Sequence, residues 1–205
     1  MYIYVVRNPK DTCVSFYHHC IKSEFNCLEY RTMHFDQFFE IFMDGTTDWN
    51  DYFDHVLSWY AHKDEPNVLL ITYEEMKADL RAAVLRIAKF IGEPYASKVV
   101  GNNALLDKII HESSLAQMRV NVNKSMEVLG DPEARKRLFP PKMIKIMDTM
   151  DQVGTTDECM TDWQFVRKGV VGDWVNFFSD EQDKRLTAKT QEKLANCPDL
   201  LELWK

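Results

Sequence analysis

Nothing in the 205 residues approaches the run of about 18 apolar residues that a membrane span needs. A secretory pattern is lacking as well, because the apolar run after Met1 meets Arg7 and ends. There is no internal repeat, no low-complexity tract and no Gly/Ser linker, so one domain over residues 1–205 is the expected organisation. Positive charge is not in excess: 25 Lys and Arg against 32 Asp and Glu give a net charge of −7. Such a surface attracts neither nucleic acid nor anionic membrane, yet it can still hold one small polyanion in a local pocket of cations. The five cysteines, Cys13, Cys20, Cys27, Cys159 and Cys197, are an odd number in a chain too long for a disulfide scaffold. The first three recur every seven residues, whereas a zinc pair wants about two to four intervening residues. Reduced, buried thiols of a cytoplasmic protein are the expectation. No phosphate-loop pattern of glycines and no acidic pair at metal spacing occurs, so no metal site is expected.

What is present reads as α/β. Apolar runs at 2–6 and 68–72 have the continuous character of strands covered on both faces, as in a parallel sheet. Helices are expected at about 9–22, 34–43, 50–62, 75–91 and 95–106. The segment Leu80, Val84, Leu85, Ile87, Ala88 and Ile91 makes a core-facing stripe that Gly92 and Pro94 terminate. Residues 111–178 look irregular, with short helices and long loops. A last helix at about 179–195 has Ser179 as cap and Gln182 in the capping-box position. Two parallel strands cannot stand alone, so the pattern is that of part of a larger sheet.

The chemistry concentrates at the first nineteen residues, where the strand Tyr2 to Val6 stops at Arg7, Asn8-Pro9 turns the chain, and a helix carrying Ser15 follows. In open α/β sheets ligands sit beyond the carboxyl ends of the strands. An arginine there clamps a phosphate with parallel hydrogen bonds, and a serine adds a donor. Far downstream, Arg167-Lys-Gly-Val-Val-Gly-Asp-Trp174 supplies a second cationic glycine loop.

These blocks, with Tyr73-Glu-Glu-Met-Lys-Ala-Asp-Leu80 and Ile87-Ala-Lys-Phe-Ile-Gly92 between them, resemble the cytosolic sulfotransferase family. That family uses 3′-phosphoadenosine 5′-phosphosulfate (PAPS) as sulfuryl donor and leaves PAP. The resemblance implies a nucleotide-kinase-like fold, a parallel sheet flanked by helices, and transfer of a sulfuryl group to a hydroxyl or amine of a small-molecule acceptor. It implies that Arg7 and Ser15 hold the 3′-phosphate, with Arg167, Lys168 and Gly169 as a second clamp on it. Tyr73 falls where the family places a tyrosine against the adenine. Ser113, Leu115 and Met118 align with a segment lining the purine and phosphate, and Leu115 replaces an aromatic there. Phe165 and Val166 would line the same cleft.

The family's glycine-rich loop, its catalytic lysine and its general-base histidine belong to a Tyr-Pro-Lys-x-Gly-Thr-Thr-Trp-like first third that these residues do not contain. The expected fold is therefore that of a C-terminal portion, with no catalytic residue of its own. His18 and His19 adjoin the phosphate helix without being the base. His55 has a structural role among Tyr52, Phe53, Trp59 and Tyr60, and His111 starts a helix. Met43-Asp-Gly-Thr-Thr-Asp-Trp-Asn50 resembles an acceptor-side loop. The family's dimer motif is not retained at Val175, Ser179, Asp180 and Lys184, which leaves the oligomeric state open. Two other readings remain: an inactive fragment or PAP-binding module without turnover, and a nucleotide kinase.

Overall fold

Parallel pairing of the two apolar runs sets the architecture. In the computed structural model, which describes residues 1–22, 32–152 and 166–204, strand β1 (Tyr2–Val6) lies parallel to β2 (Val68–Thr72). Tyr2 pairs with Val68 and Val6 with Thr72. Between the strands run α1 (Pro9–Lys22), α2 (Phe35–Asp44) and α3 (Tyr52–Tyr60). After β2 come α4 (Tyr73–Ala78), α5 (Leu80–Ile91), α6 (Glu93–Val100), α7 (Asn103–Glu112), α8 (Leu115–Gly130), α9 (Pro132–Leu138) and α10 (Pro141–Gln152). A 3₁₀ turn at Asp173–Asn176, α11 (Asp180–Lys193) and α12 (Pro198–Leu203) complete the order.

The expected strands, the α/β class and the capping box of Ser179 with Gln182 are all present. Four expectations need correction. Strand β2 is buried along most of its length, but β1 is not covered on both faces: Ile3 and Val5 are 43% and 47% exposed. Strand alternation puts Tyr2 and Tyr4 on the opposite face, where Trp59 of α3 covers them, with Tyr4 stacked on it at 5.2 Å. The other face is left bare by the described residues. The expected helix 75–91 is two helices broken at Asp79, whose carboxylate caps α5 by accepting from the Ala82 N–H. Its apolar stripe is only partly realised, because Ile91 is exposed while Ala88 packs with Val99 and Leu106. The break at Gly101 divides the expected helix 95–106, and His111 falls in the last turn of α7 rather than at a start. Residues 115–152, expected as short helices with long loops, form three helices of 16, 7 and 12 residues joined by short connections.

The chain forms two compact units. One comprises Met1–His18, Met33–Ile110 and Val170–Lys205; the other comprises His19–Thr32 and His111–Gly169. The first holds the sheet and an aromatic core. Phe38, Phe39 and Phe42 line the buried face of α2, and Phe35, Phe39 and Trp174 all meet Phe178. Each such ring contributes about 1.5–3 kcal/mol by leaving water. Helix α11 clamps α2 through Gln182 to Asp36 and a two-pronged Arg185–Glu40 pair. In the second unit the buried Arg135 of α9 lies 3.8 Å from Asp148 of α10. Cys13, Cys20 and Cys197 are buried and in no disulfide, as expected, and burial pushes the Cys13 thiol up. Cys27 and Cys159 lie outside the described residues.

Asp51 joins α3 to α11 in the first unit. Its carboxylate caps α3 by accepting from the Phe53 and Asp54 N–H groups, and it takes a bond from Lys189 of α11 at 3.0 Å. Partial burial works to raise its pKa, but the helix amides and Lys189 outweigh this and hold it below the usual value. We expect Asp51→Ala to cost about 2 kcal/mol in urea unfolding at neutral pH, combining the lost cap with the stranded lysine. A depressed carboxyl stabilises fully above its unfolded value near 4 and loses that contribution as pH falls through the folded one. The gap between wild type and Asp51→Ala should therefore narrow in unfolding curves taken below about pH 4.

Candidate anion site at the carboxyl ends of the strands

Because Val6 pairs with Thr72, the next residues, Arg7 and Tyr73, leave the sheet side by side. The Arg7 guanidinium lies over the Tyr73 ring, 4.4 Å from its centroid. Its Nη2 donates to the Val170 carbonyl at 2.9 Å and sits 3.5 Å from an Asp11 carboxylate oxygen. Its Nε is buried and, among the described residues, has no hydrogen-bond partner. The backbone beneath is equally constrained. The Arg7 carbonyl accepts from the Tyr52 hydroxyl at 2.5 Å and from the Thr12 hydroxyl at 3.3 Å. Burial drives the Tyr52 pKa well up, so that hydroxyl remains a donor at neutral pH.

The turn after Arg7 is held from two sides. The Asn8 side chain accepts from the Lys10 N–H and opens α1, while the Asn8 N–H donates to Glu74 at the start of α4. The other Glu74 oxygen accepts from the Trp204 indole N–H at 3.3 Å. Loop 170–174 is tied down through Asp11, which accepts from the Gly172 N–H at 2.7 Å and the Trp174 N–H at 3.1 Å. Gly172 adopts φ +85°, a left-handed conformation that costs a residue with a Cβ, and the space a Cβ would enter is open. Lys10 lies 4.2 Å from the Trp174 ring centroid and pairs with Asp183.

Arg7, Ser15 and Tyr73 belong to the first compact unit. Ser15 is partly buried on α1, one turn beyond Asp11 and on the same helix face. The remaining expected residues that are described belong to the second unit. Ser113 is exposed between α7 and α8, and Met118 is exposed on α8. Leu115 and Gly169 are brought together: Gly169 has φ +63°, and a Cβ there would come within 2.6 Å of the Leu115 side chain. Arg119 binds the same strand of backbone, donating to the Val166 carbonyl at 3.2 Å and to the Arg167 carbonyl. Lys168 lies between these anchored residues, and Phe165 lies outside the described residues. Asp11, Tyr52, Glu74 and Arg119 were not singled out from the sequence. Asp11 alone had a signal, standing four residues after Arg7 within the Arg-Asn-Pro-Lys-Asp block, the spacing of a helical ion pair.

A sulfotransferase domain family model matches residues 1–198. The chain belongs to the sulfotransferase family. It is 32% identical to Sulfotransferase 6B1 of Danio rerio over 93% of this chain and 51% of that protein. It is 30% identical to the amine sulfotransferase of Oryctolagus cuniculus over 96% of this chain and 55% of that one. The chain thus spans about half the length of the curated relatives it matches. The crystal structure of mouse sulfotransferase SULT7A1 complexed with PAP superposes with a TM-score of 0.68 at 32% identity, covering 98% of this chain and 60% of that one. Retinol dehydratase shares the fold, at TM-score 0.64 and 22% identity over 94% of this chain and 46% of that one. The family that the Arg7, Tyr73 and Arg167 blocks led us to expect is the one found.

The part-buried Tyr52 hydroxyl is bonded to the backbone of Arg7, the cation at the centre of the candidate site. Tyr52→Phe removes one of the two hydroxyls on the Arg7 carbonyl, and Thr12 keeps the other. The expected loss is about 1 kcal/mol of unfolding free energy, read from chemical denaturation. No measurable loss would mean that this bond does not hold the start of the turn.

Proposed function

We propose that this chain carries donor-binding residues of a sulfotransferase that moves a sulfuryl group from PAPS to a hydroxyl or amine of a small acceptor such as a phenol, alcohol or steroid. Arg7 and Ser15 bind the 3′-phosphate in this reading, and Tyr73 packs beside the adenine. Arg167, Lys168, Gly169, Val166, Ser113, Leu115 and Met118 are further donor contacts. The observation that carries it is the Arg7 guanidinium: fixed at the carboxyl ends of the strands, stacked on an aromatic ring, with a buried Nε that lacks a partner. A buried donor without an acceptor is costly, and a phosphate oxygen would relieve that cost. The open space at Gly172 is consistent with close approach of a ligand to the backbone.

PAPS supplies the activated sulfuryl group when bound. What these residues contribute is positioning: they hold the nucleotide end so that the reacting end is not free to wander. The exposed Arg119, bonded to two carbonyls before Lys168, anchors that basic segment. A setting in the cytoplasm agrees with the three described cysteines, which are buried and in no disulfide. Among the described residues no helix is long and apolar enough to cross a membrane.

A second reading, nucleotide binding without turnover, is favoured by the lack of a glycine-rich phosphate loop in the 205 residues. Calorimetry with PAP and a sulfation assay over phenols, alcohols and amines separate the two. We expect PAP to bind the wild-type chain and Arg7→Ala to lose about 2–5 kcal/mol of that affinity, the cost of removing one member of a desolvated charge pair. Equal affinity in the two proteins would overturn the donor site. PAP binding with no sulfation of any acceptor would select the second reading.

A further inference from the structure

We propose that Asp11 is a positioning residue: its buried carboxylate pre-sets the Arg7 guanidinium and loop 170–174 for the donor's 3′-phosphate. This rests on the donor-binding reading above and assigns a role to a residue that reading does not use.

Asp11 is 1% exposed, and a carboxylate that deep survives only with full pairing. Its partners form a closed circuit. One oxygen accepts from Gly172 and the other from Trp174, more than 160 residues away in sequence. The carbonyl of Val170, in the same loop, accepts from Arg7. Arg7 in turn lies 3.5 Å from Asp11. Each member fixes the next, and the Tyr73 ring sets the plane of the guanidinium. Loop amides in such a turn are themselves an anion cradle. Asp11 fills that cradle from within, so a ligand phosphate is left with the uncommitted donors of Arg7.

Electrostatics alone would argue the reverse. A negative charge beside Arg7 repels a phosphate, so neutralising Asp11 should tighten binding if charge were all that mattered. Positioning predicts the opposite sign. In Asp11→Asn the amide retains one acceptor and turns an NH₂ toward a backbone N–H, which releases the loop and with it the Val170 anchor of Arg7.

The test compares PAP with 5′-AMP, which lacks the 3′-phosphate, by calorimetry on the full chain. Wild type should prefer PAP. Asp11→Asn should lose about tenfold or more in PAP affinity while 5′-AMP affinity stays within about twofold. A wild type without preference overturns the donor reading and this proposal with it. A wild-type preference that Asp11→Asn retains or increases overturns the role of Asp11 alone, as does an equal loss for both nucleotides. Should Asp11→Asn fail to fold, hydrogen exchange on the wild type decides. A pre-set loop keeps the Gly172 and Trp174 amide rates within about twofold when PAP is added. Slowing of those amides by more than about tenfold would show that the ligand orders the loop, and would overturn the proposal.

Discussion

The register of one pair of strands governs everything around it. With Val6 opposite Thr72, the residues that follow are fixed as neighbours, one a cation and one an aromatic. A slip of one residue would move Arg7 off Tyr73 and turn the slipped strand's side chains to the wrong faces. Strand β2 is the fixed partner in this pairing, with four of its five residues buried. The same point is reinforced by α4, whose cap Thr72 exchanges hydrogen bonds with Glu75 and so ends the strand where the ring must stand.

Closing the site takes segments that are far apart in sequence. Loop 170–174 arrives some 160 residues after Arg7, and the ordering entropy of bringing it back grows only slowly with that separation. The bonds that retain it include the part-buried pair to Asp11, together with the Trp174 contacts to Lys10 and Phe178. Glu74 does the comparable task for the turn at Asn8 and for Trp204. Two carboxylates thus organise the surroundings of one guanidinium.

Much of this was legible in the residues. Continuous apolar runs gave the strands and their parallel pairing, since alternating runs would have implied one wet face. Ser179 with Gln182 gave the start of α11, because both halves of a capping box are written locally. The Arg7 and Tyr73 blocks pointed to one edge. What could not be read depends on long-range partners. That β1 would leave Ile3 and Val5 bare depends on which elements cover it, not on its own pattern. The break at Asp79 was overlooked because an aspartate inside a helical stripe reads as a surface residue until its carboxylate is seen capping α5. The helices over 115–152 lack strong apolar stripes, so periodicity understated them. Asp11 looked like an ordinary first-turn acid, favoured at any helix N-terminus.

An acidic protein that is to bind a polyanion, as proposed above, has a local problem to solve, and the solution these residues offer is geometric. The chain carries seven more acids than bases, and one acid lies within ion-pair reach of the proposed phosphate ligand. Net charge therefore gives no long-range attraction for the donor, and cations merely scattered over the surface would be screened within about 8–10 Å at physiological salt. Affinity must come from donors already aimed. Arg7 meets that requirement: its backbone is pinned by Tyr52 and Thr12, its face by Tyr73 and one edge by Val170, leaving the buried Nε as the unmatched group. Preorganisation of this kind lowers the ordering cost of binding rather than adding attraction. In the proposed site a carboxylate beside Arg7 is useful on the same ground: the repulsion it introduces would be offset if it spares the ordering of a loose guanidinium and a loose loop each time a nucleotide arrives.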